Sequence, residues 1–191
     1  MEVGRTSTGL KQKIEEHSKK RTQKELAAGF DHFIRVYRTA KSLASGFDDQ
    51  ALHAACFLHD IILDEVHEKS SYNYAENFLK RIDFPEEKLK IVRDAILNHV
   101  PEGRPKTIEG VLLHDADLLD FLGATGIART SIGAREWYGA TTLKDVLETM
   151  KRFRKITFKN LILEKSKEIA EEKIQAMDAV IIKLEKEIVI V

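Results

Sequence analysis

Four side chains in this sequence are of the types that hold a divalent metal ion: His32, the adjacent pair His59-Asp60, and Asp117. Two imidazoles and two carboxylates make a mixed nitrogen and oxygen donor set. Such a set suits borderline metals such as Mn, Fe, Co, Ni or Zn better than it suits soft, thiolate-seeking ones. Four protein ligands leave room for water in a five- or six-coordinate shell. A water of lowered pKa on the metal is then a nucleophile near neutral pH. Each part alone says little, because a His-Asp dipeptide is common and a single His on a helix is more often a hydrogen-bonded core residue. The order and surroundings of the four carry the argument.

Three elements have to bring these groups together. His32 stands in segment 30–45, where Phe30, Phe33, Ile34, Tyr37, Ala40 and Ala44 fall on one helical stripe and Gly46 supplies a stop. Asp48 or Asp49 caps the next helix, which runs to about Asp60 through Ala54-Ala55-Cys56-Phe57-Leu58. Ser70 or Ser71 opens a third helix with Tyr74, Phe78 and Ile82 inward. Asp83-Phe84-Pro85-Glu86 has the form of a helix start, an Asp cap with an early Pro and a Glu three residues on. The helix it opens carries Leu89, Val92 and Ile96. Thr107 caps the helix through Leu122 that bears Asp115, Asp117 and Asp120. Gly123 and Gly126 mark a bend or a close helix contact, and Thr141 or Thr142 starts another helix. Residues 160–188 read as one long C-terminal helix with Leu161, Ile169, Met177, Val180, Ile181, Leu184 and Ile188 on its stripe. The expected fold is an all-α globule of about seven to nine helices.

Composition bounds the partners. The chain has 191 residues, 43% hydrophobic and 32% charged, which is enough apolar side chain for a core. Lys+Arg and Asp+Glu are both 31, so the broad basic field of a non-specific nucleic-acid binder is missing and no extended nucleic-acid partner is expected. The single cysteine, Cys56, has no second cysteine to pair with and reads as a small buried hydrophobe. The N-terminal MEVGRTSTGLKQKIEEHSKK has no apolar signal core. No stretch approaches the roughly 18 apolar residues of a membrane span. A cytoplasmic protein with no membrane partner is therefore expected. The apolar stripe of the C-terminal helix and the tail Ile188-Val189-Ile190-Val191 predict a homodimer.

The order His32, His59-Asp60, Asp117 resembles the H…HD…D signature of the HD-domain superfamily of metal-dependent phosphohydrolases. The surroundings resemble it too: DHFIRVYRTA the family's first helix, AACFLHDI its HD helix, and HDADLLDFLGATGIAR the last-ligand segment of the small stand-alone HD hydrolases. The resemblance covers roughly 28–140. It implies a single HD-domain helical bundle with a long C-terminal helix, divided as an N-terminal helical extension (1–27), the HD core (28–140) and C-terminal helices packed on that core (141–191). It implies His32, His59, Asp60 and Asp117 as ligands of one divalent ion per chain, which could be Mn, Fe, Co, Ni, Zn or Mg. Asp115 and Asp120 then orient the ligands from outside, with Asp115 the fallback fourth ligand. The Arg that often follows the last ligand in relatives is Leu118 here.

Two-metal relatives carry two further histidines between the HD pair and the last Asp. Only His67 and His99 lie in that interval, and His67 follows His59 so soon that it falls on a loop, so a mononuclear site is expected. His99 ends AILNHV on the inner face of its helix. It reads either as a buried His satisfied by a backbone carbonyl, or as a phosphate contact or proton donor to the leaving group. Asp64 matches the acidic position many relatives carry after HD and could manage the proton; the alternative is a solvated loop charge. Arg35, Arg104 and Arg129 are the candidates for holding substrate phosphate. Arg35 has the alternative of an ion pair to the aspartates of 115–120, and Arg129 that of a packing residue. The implied activity is hydrolysis of a small phosphate ester, a nucleotide by preference. The rivals are a non-catalytic nucleotide and metal sensor, and an iron-dependent HD oxygenase.

Overall fold

The computed structural model describes residues 2–188, with side chains from residue 8 onward. Within that range the regular structure is helical throughout: α1 (Glu2–Arg21), α2 (Phe30–Leu43), α3 (Asp49–Leu58), α4 (His67–Arg81), α5 (Glu86–Leu97), α6 (Ile108–Asp120), α7 (Gly123–Tyr138), α8 (Leu143–Asn160) and α9 (Glu164–Ile188). This is the all-α class expected. None of these helices is long and apolar enough to cross a membrane. The tail residues 189–191, counted above toward a homodimer, lie outside the described residues.

The chain divides into two compact units, Met1–Ala116 and Asp117–Val191, with the boundary inside α6.

In the first unit α3 is central, with α1, α2, α4 and α5 packed on it. Every residue from Ala51 to Leu58 is buried, as its nearly unbroken apolar sequence requires. Asp48 starts it as a side-chain cap, accepting from the Gln50 and Ala51 N–H groups at 3.0 Å each. Helix α1 is built into the unit. The buried Ser18 hydroxyl donates to the Phe57 carbonyl (2.7 Å), and a ring nitrogen of His17 lies 2.8 Å from the Tyr74 hydroxyl.

Two starts differ from expectation. Helix α4 begins at His67 rather than at Ser70 or Ser71. Ser71 is buried inside it, and its hydroxyl bridges the Ile62 N–H and carbonyl, 3.1 Å each. Asp83 does not cap α5, whose flanking residue is Pro85 with no side-chain cap. Asp83 instead takes a left-handed conformation, φ 56°, which Asp tolerates better than most residues. Its N–H bonds the Lys80 carbonyl (3.3 Å) and the Phe84 N–H bonds that of Leu79 (3.1 Å), the paired bonds of a helix stop. The residue closes α4.

In the second unit α7, α8 and α9 pack on one another. Gly126 is needed in α7, since a Cβ there would lie 2.1 Å from the Phe121 carbonyl oxygen. Thr142 and Asp145 form a reciprocal capping box at the start of α8. The long C-terminal helix read over 160–188 is α9, which begins at Glu164, after a break at 161–163 that separates it from α8. Ala170, Ile174, Met177 and Ile181 form the buried face of α9, while Val180 is 39% exposed.

Candidate metal centre

Four helix ends in the first unit deliver the histidines. His32 lies in the first turn of α2, and His59 directly follows α3, with Asp60 next in the chain. Helix α5 ends at Leu97 and the chain turns through Asn98, which brings in His99. His67 is the first residue of α4. These ends put four imidazoles around the Asp60 carboxylate.

The Asp60 carboxylate faces a pair of imidazoles with each oxygen. Its Oδ2 lies 3.9 Å from His32 Nε2 and 3.6 Å from His59 Nε2, which are themselves 3.2 Å apart. Its Oδ1 lies 3.3 Å from His99 Nε2 and 3.8 Å from His67 Nε2. Within each trio, His32-His59-Asp60 and Asp60-His67-His99, the ligand atoms all lie within 4.8 Å of one another. Metal bonds of about 2.0–2.2 Å to nitrogen and oxygen place ligand atoms at such separations.

Backbone carbonyls fix two of the rings. His59 Nδ1 donates to the Cys56 carbonyl (2.9 Å) and His99 Nδ1 to the Ile96 carbonyl (2.7 Å). A carbonyl only accepts, so Nδ1 carries the hydrogen and the neutral ring presents the Nε2 lone pair toward Asp60. Both carbonyls belong to the last turn of a helix, where no intrahelical N–H is left to use them. His32, His59 and His99 are buried; the Asp60 side chain is 12% exposed and that of His67 33%. The cluster is thus buried on three sides and reached from the His67 side. The donor set fits a divalent ion: neutral imidazole nitrogens already turned inward around a carboxylate.

The other expected residues divide. Asp115 is buried with its Oδ1 on the adjacent His114 Nδ1, 3.0 Å away. Asp64 is exposed, and its carboxylate accepts from the Val66 N–H (3.0 Å) in the turn that leads into α4. Arg35 is half-buried on α2, one turn from His32. Arg104 is exposed and folds over its own loop, donating to the carbonyls of Glu102 (3.1 Å) and Gly103 (2.7 Å). That loop is held by Asp94, whose Oδ2 accepts from the Lys106 and Thr107 N–H groups at 2.8 and 2.7 Å.

In the second unit Asp117, Asp120 and Arg129 are buried together. Arg129 Nη1 lies 3.1 Å from Asp120 Oδ2 and 4.0 Å from Asp117 Oδ1, and the guanidinium sits 4.1 Å from the Phe121 ring centroid. Arg129 thus lies buried between two carboxylates. Leu118, where relatives often carry Arg, is buried apolar surface.

Sequence reading missed His67 as a member of the cluster. Its short separation from His59 reads as a loop, whereas the chain turns fast enough for it to open α4. The Asp64 turn, an acceptor two residues before the N–H it binds, was the one available signal.

Comparison with known proteins agrees with this geometry. The HD domain family model matches residues 29–122. No curated protein matches the chain in sequence. Among solved structures, the Lin1889 protein of Listeria innocua is 22% identical over 97% of this chain and 98% of its own, with a TM-score of 0.73. An HD-superfamily hydrolase of Bacillus thuringiensis is 25% identical over 97% and 100%, with a TM-score of 0.70. Bacillus subtilis YpgQ is 22% identical over 96% and 97%, TM-score 0.71, and is also solved in complex with ADP. These likenesses extend over nearly the whole chain, well beyond the segment that carries the ligand-type residues. The chain belongs to the HD-domain superfamily.

Proposed function

We propose that this protein is a metal-dependent phosphohydrolase acting on a small phosphate ester, a nucleotide by preference. The observation that carries the reading is the buried His32-His59-Asp60 trio, its ligand atoms within 4.8 Å of one another and His59 Nδ1 held by the Cys56 carbonyl. One divalent ion is assigned to that trio, with Asp117 as a further ligand from family position. What a divalent ion supplies in such a site is polarisation of a phosphoryl oxygen and a water nucleophile of lowered pKa. The chain's own contribution is orientation and exclusion of solvent. The Cys56 carbonyl holds the His59 ring in one tautomer, and the buried faces of His32 and His59 keep bulk water from the ligands. Arg35, one turn from His32, is assigned to substrate phosphate. Arg104 and Arg129 are engaged elsewhere, by loop carbonyls and by buried carboxylates.

The preference for a nucleotide is supported by the YpgQ complex with ADP, a relative of the same fold. The test is a release screen for phosphate and pyrophosphate across nucleoside mono-, di- and triphosphates and sugar phosphates, with metal-loaded wild type and Asp60→Asn. Turnover of a nucleotide by wild type and its loss in Asp60→Asn is the expected result. Arg35→Ala should raise KM for that substrate while metal content stays constant. Full metal loading with no release from any compound would favour a non-catalytic sensor. Turnover that required oxygen would favour the oxygenase chemistry.

A further inference from the structure

Helix α1 is seated on the first unit with few buried side chains. Among its described residues only Ile14 and Ser18 are buried, and the Ser18 hydroxyl donates to the Phe57 carbonyl, two residues before His59. The rest of the seat involves two histidines on different elements. His53 of α3 is buried, its ring stacked on Phe57 (centroids 4.5 Å apart) and edge-on to Tyr37 of α2 (5.0 Å). Its Nε2 lies 2.8 Å from Glu15 Oε1 of α1, while its Nδ1 is buried with no hydrogen-bond partner among the described residues. A carboxylate only accepts, so Nε2 carries the hydrogen of the neutral ring and Nδ1 holds a lone pair. A second proton has to go to Nδ1, as a buried N–H with nothing to accept it. His17 of α1 stacks on Phe78 of α4 (3.9 Å), with a ring nitrogen 2.8 Å from the Tyr74 hydroxyl.

Both rings are held neutral while α1 is seated. Burial pushes the His17 pKa below its ordinary 6.5, and Arg81 of α4 with Arg21 and Lys20 of α1 push it further. Burial also pushes His53 down. Glu15 opposes that, Lys11 adds to it, Asp49 opposes it again, and the net direction is below 6.5. The other groups in the seat do not titrate near neutral pH: Asp49 is held at about 2, and burial with the Asp49 hydrogen bond raises Tyr37 above its ordinary 10.0.

We propose that α1 is an acid-released strap: when His17 and His53 take up protons the helix leaves α3 and α4, and the end of α3 that precedes His59 loses the Ser18 support. On release both rings return toward 6.5 and bind protons more readily than in the seat. The seated form is therefore fully stabilised above about pH 6.5 and loses that advantage as pH falls toward the seated values. Each histidine raises the open population by up to about tenfold per pH unit across that window.

Amide hydrogen exchange of the full chain is followed from about pH 7.5 to about pH 5, corrected for the intrinsic pH dependence of exchange, with α1 read against α5 of the same molecule. In wild type, exchange of α1 relative to α5 should rise steeply below about pH 6.5. His17→Gln and His53→Gln should each flatten that rise, and the double variant should abolish it. The histidines around Asp60 are common to all these proteins and cannot produce a difference among them. His17 is half-buried, so His17→Gln disturbs the fold least, and circular dichroism checks each variant. Relative protection of α1 in wild type that stays constant or increases on acidification overturns the strap, as does a double variant that keeps the wild-type dependence.

Discussion

Asp60 is the residue on which the centre depends, because each of its oxygens serves a different pair of imidazoles. Asp60→Ala should weaken metal binding by more than the about 10–100-fold typical of outer-shell changes, read by calorimetric titration; an unchanged affinity would remove the residue from the ligand set. Arg129 carries a different load. Its guanidinium is the close cation for the buried Asp120 and Asp117. Arg129→Met should cost about 3–5 kcal/mol in urea unfolding, the range for stranding a buried charge, with Arg129→Lys intermediate; an unshifted midpoint would contradict the ion-pair role. His32, His59 and Asp60 were legible in the sequence because residue type and order identify them. His67 was not, because its membership depends on how sharply the chain turns between Asp60 and α4. Arg129 was legible as a conspicuous Arg, but its burial beside Asp117 and Asp120 was not, because residue order does not carry burial.

Elements were legible where local chemistry fixes an end. The Asp48 cap, the Thr107 cap and the Thr142 box are all present, because a side-chain acceptor and an N–H two or three residues on are enough to specify them. Asp83 was misassigned because the same residue type serves at a helix start and in the left-handed position that ends one. The join of α8 to α9 was read at 160 and lies at 161–163, because Leu161, Ile162 and Leu163 continue the apolar pattern without Gly or Pro to mark the break. Two substitutions test the element account. Asp48→Ala should cost about 1 kcal/mol for the lost cap, read from the denaturation midpoint, and Asp48→Asn should retain most of it. Gly126→Ala forces a Cβ onto the Phe121 carbonyl at 2.1 Å. It should lower stability by about 1–3 kcal/mol or more, and a neutral result would mean that the start of α7 is not held as described.

At the scale of the molecule, the all-α class followed from helical periodicity alone. Acid sensitivity reports on the first unit. Burial raises the Asp49 pKa, but the Lys11 ammonium, the Tyr37 hydroxyl (2.6 Å) and the Lys41 ammonium outweigh it and hold the carboxyl at about 2, below its ordinary 3.8. A depressed carboxyl stabilises the folded state fully above its unfolded value. That contribution is lost as pH falls from about 4 toward about 2. Thermal midpoints of wild type should therefore fall faster over that interval than those of Asp49→Asn; parallel curves would show that the α1–α2–α3 cluster contributes nothing.

The buried histidine and aspartate cluster is proposed to hold the metal through which a phosphate ester is hydrolysed. Phosphate release from a nucleoside phosphate, followed in metal-stripped protein before and after addition of Mn(II), tests it most directly. The account predicts no release without metal and recovery of turnover in proportion to ions bound. Equal release by the stripped and the loaded protein would contradict it.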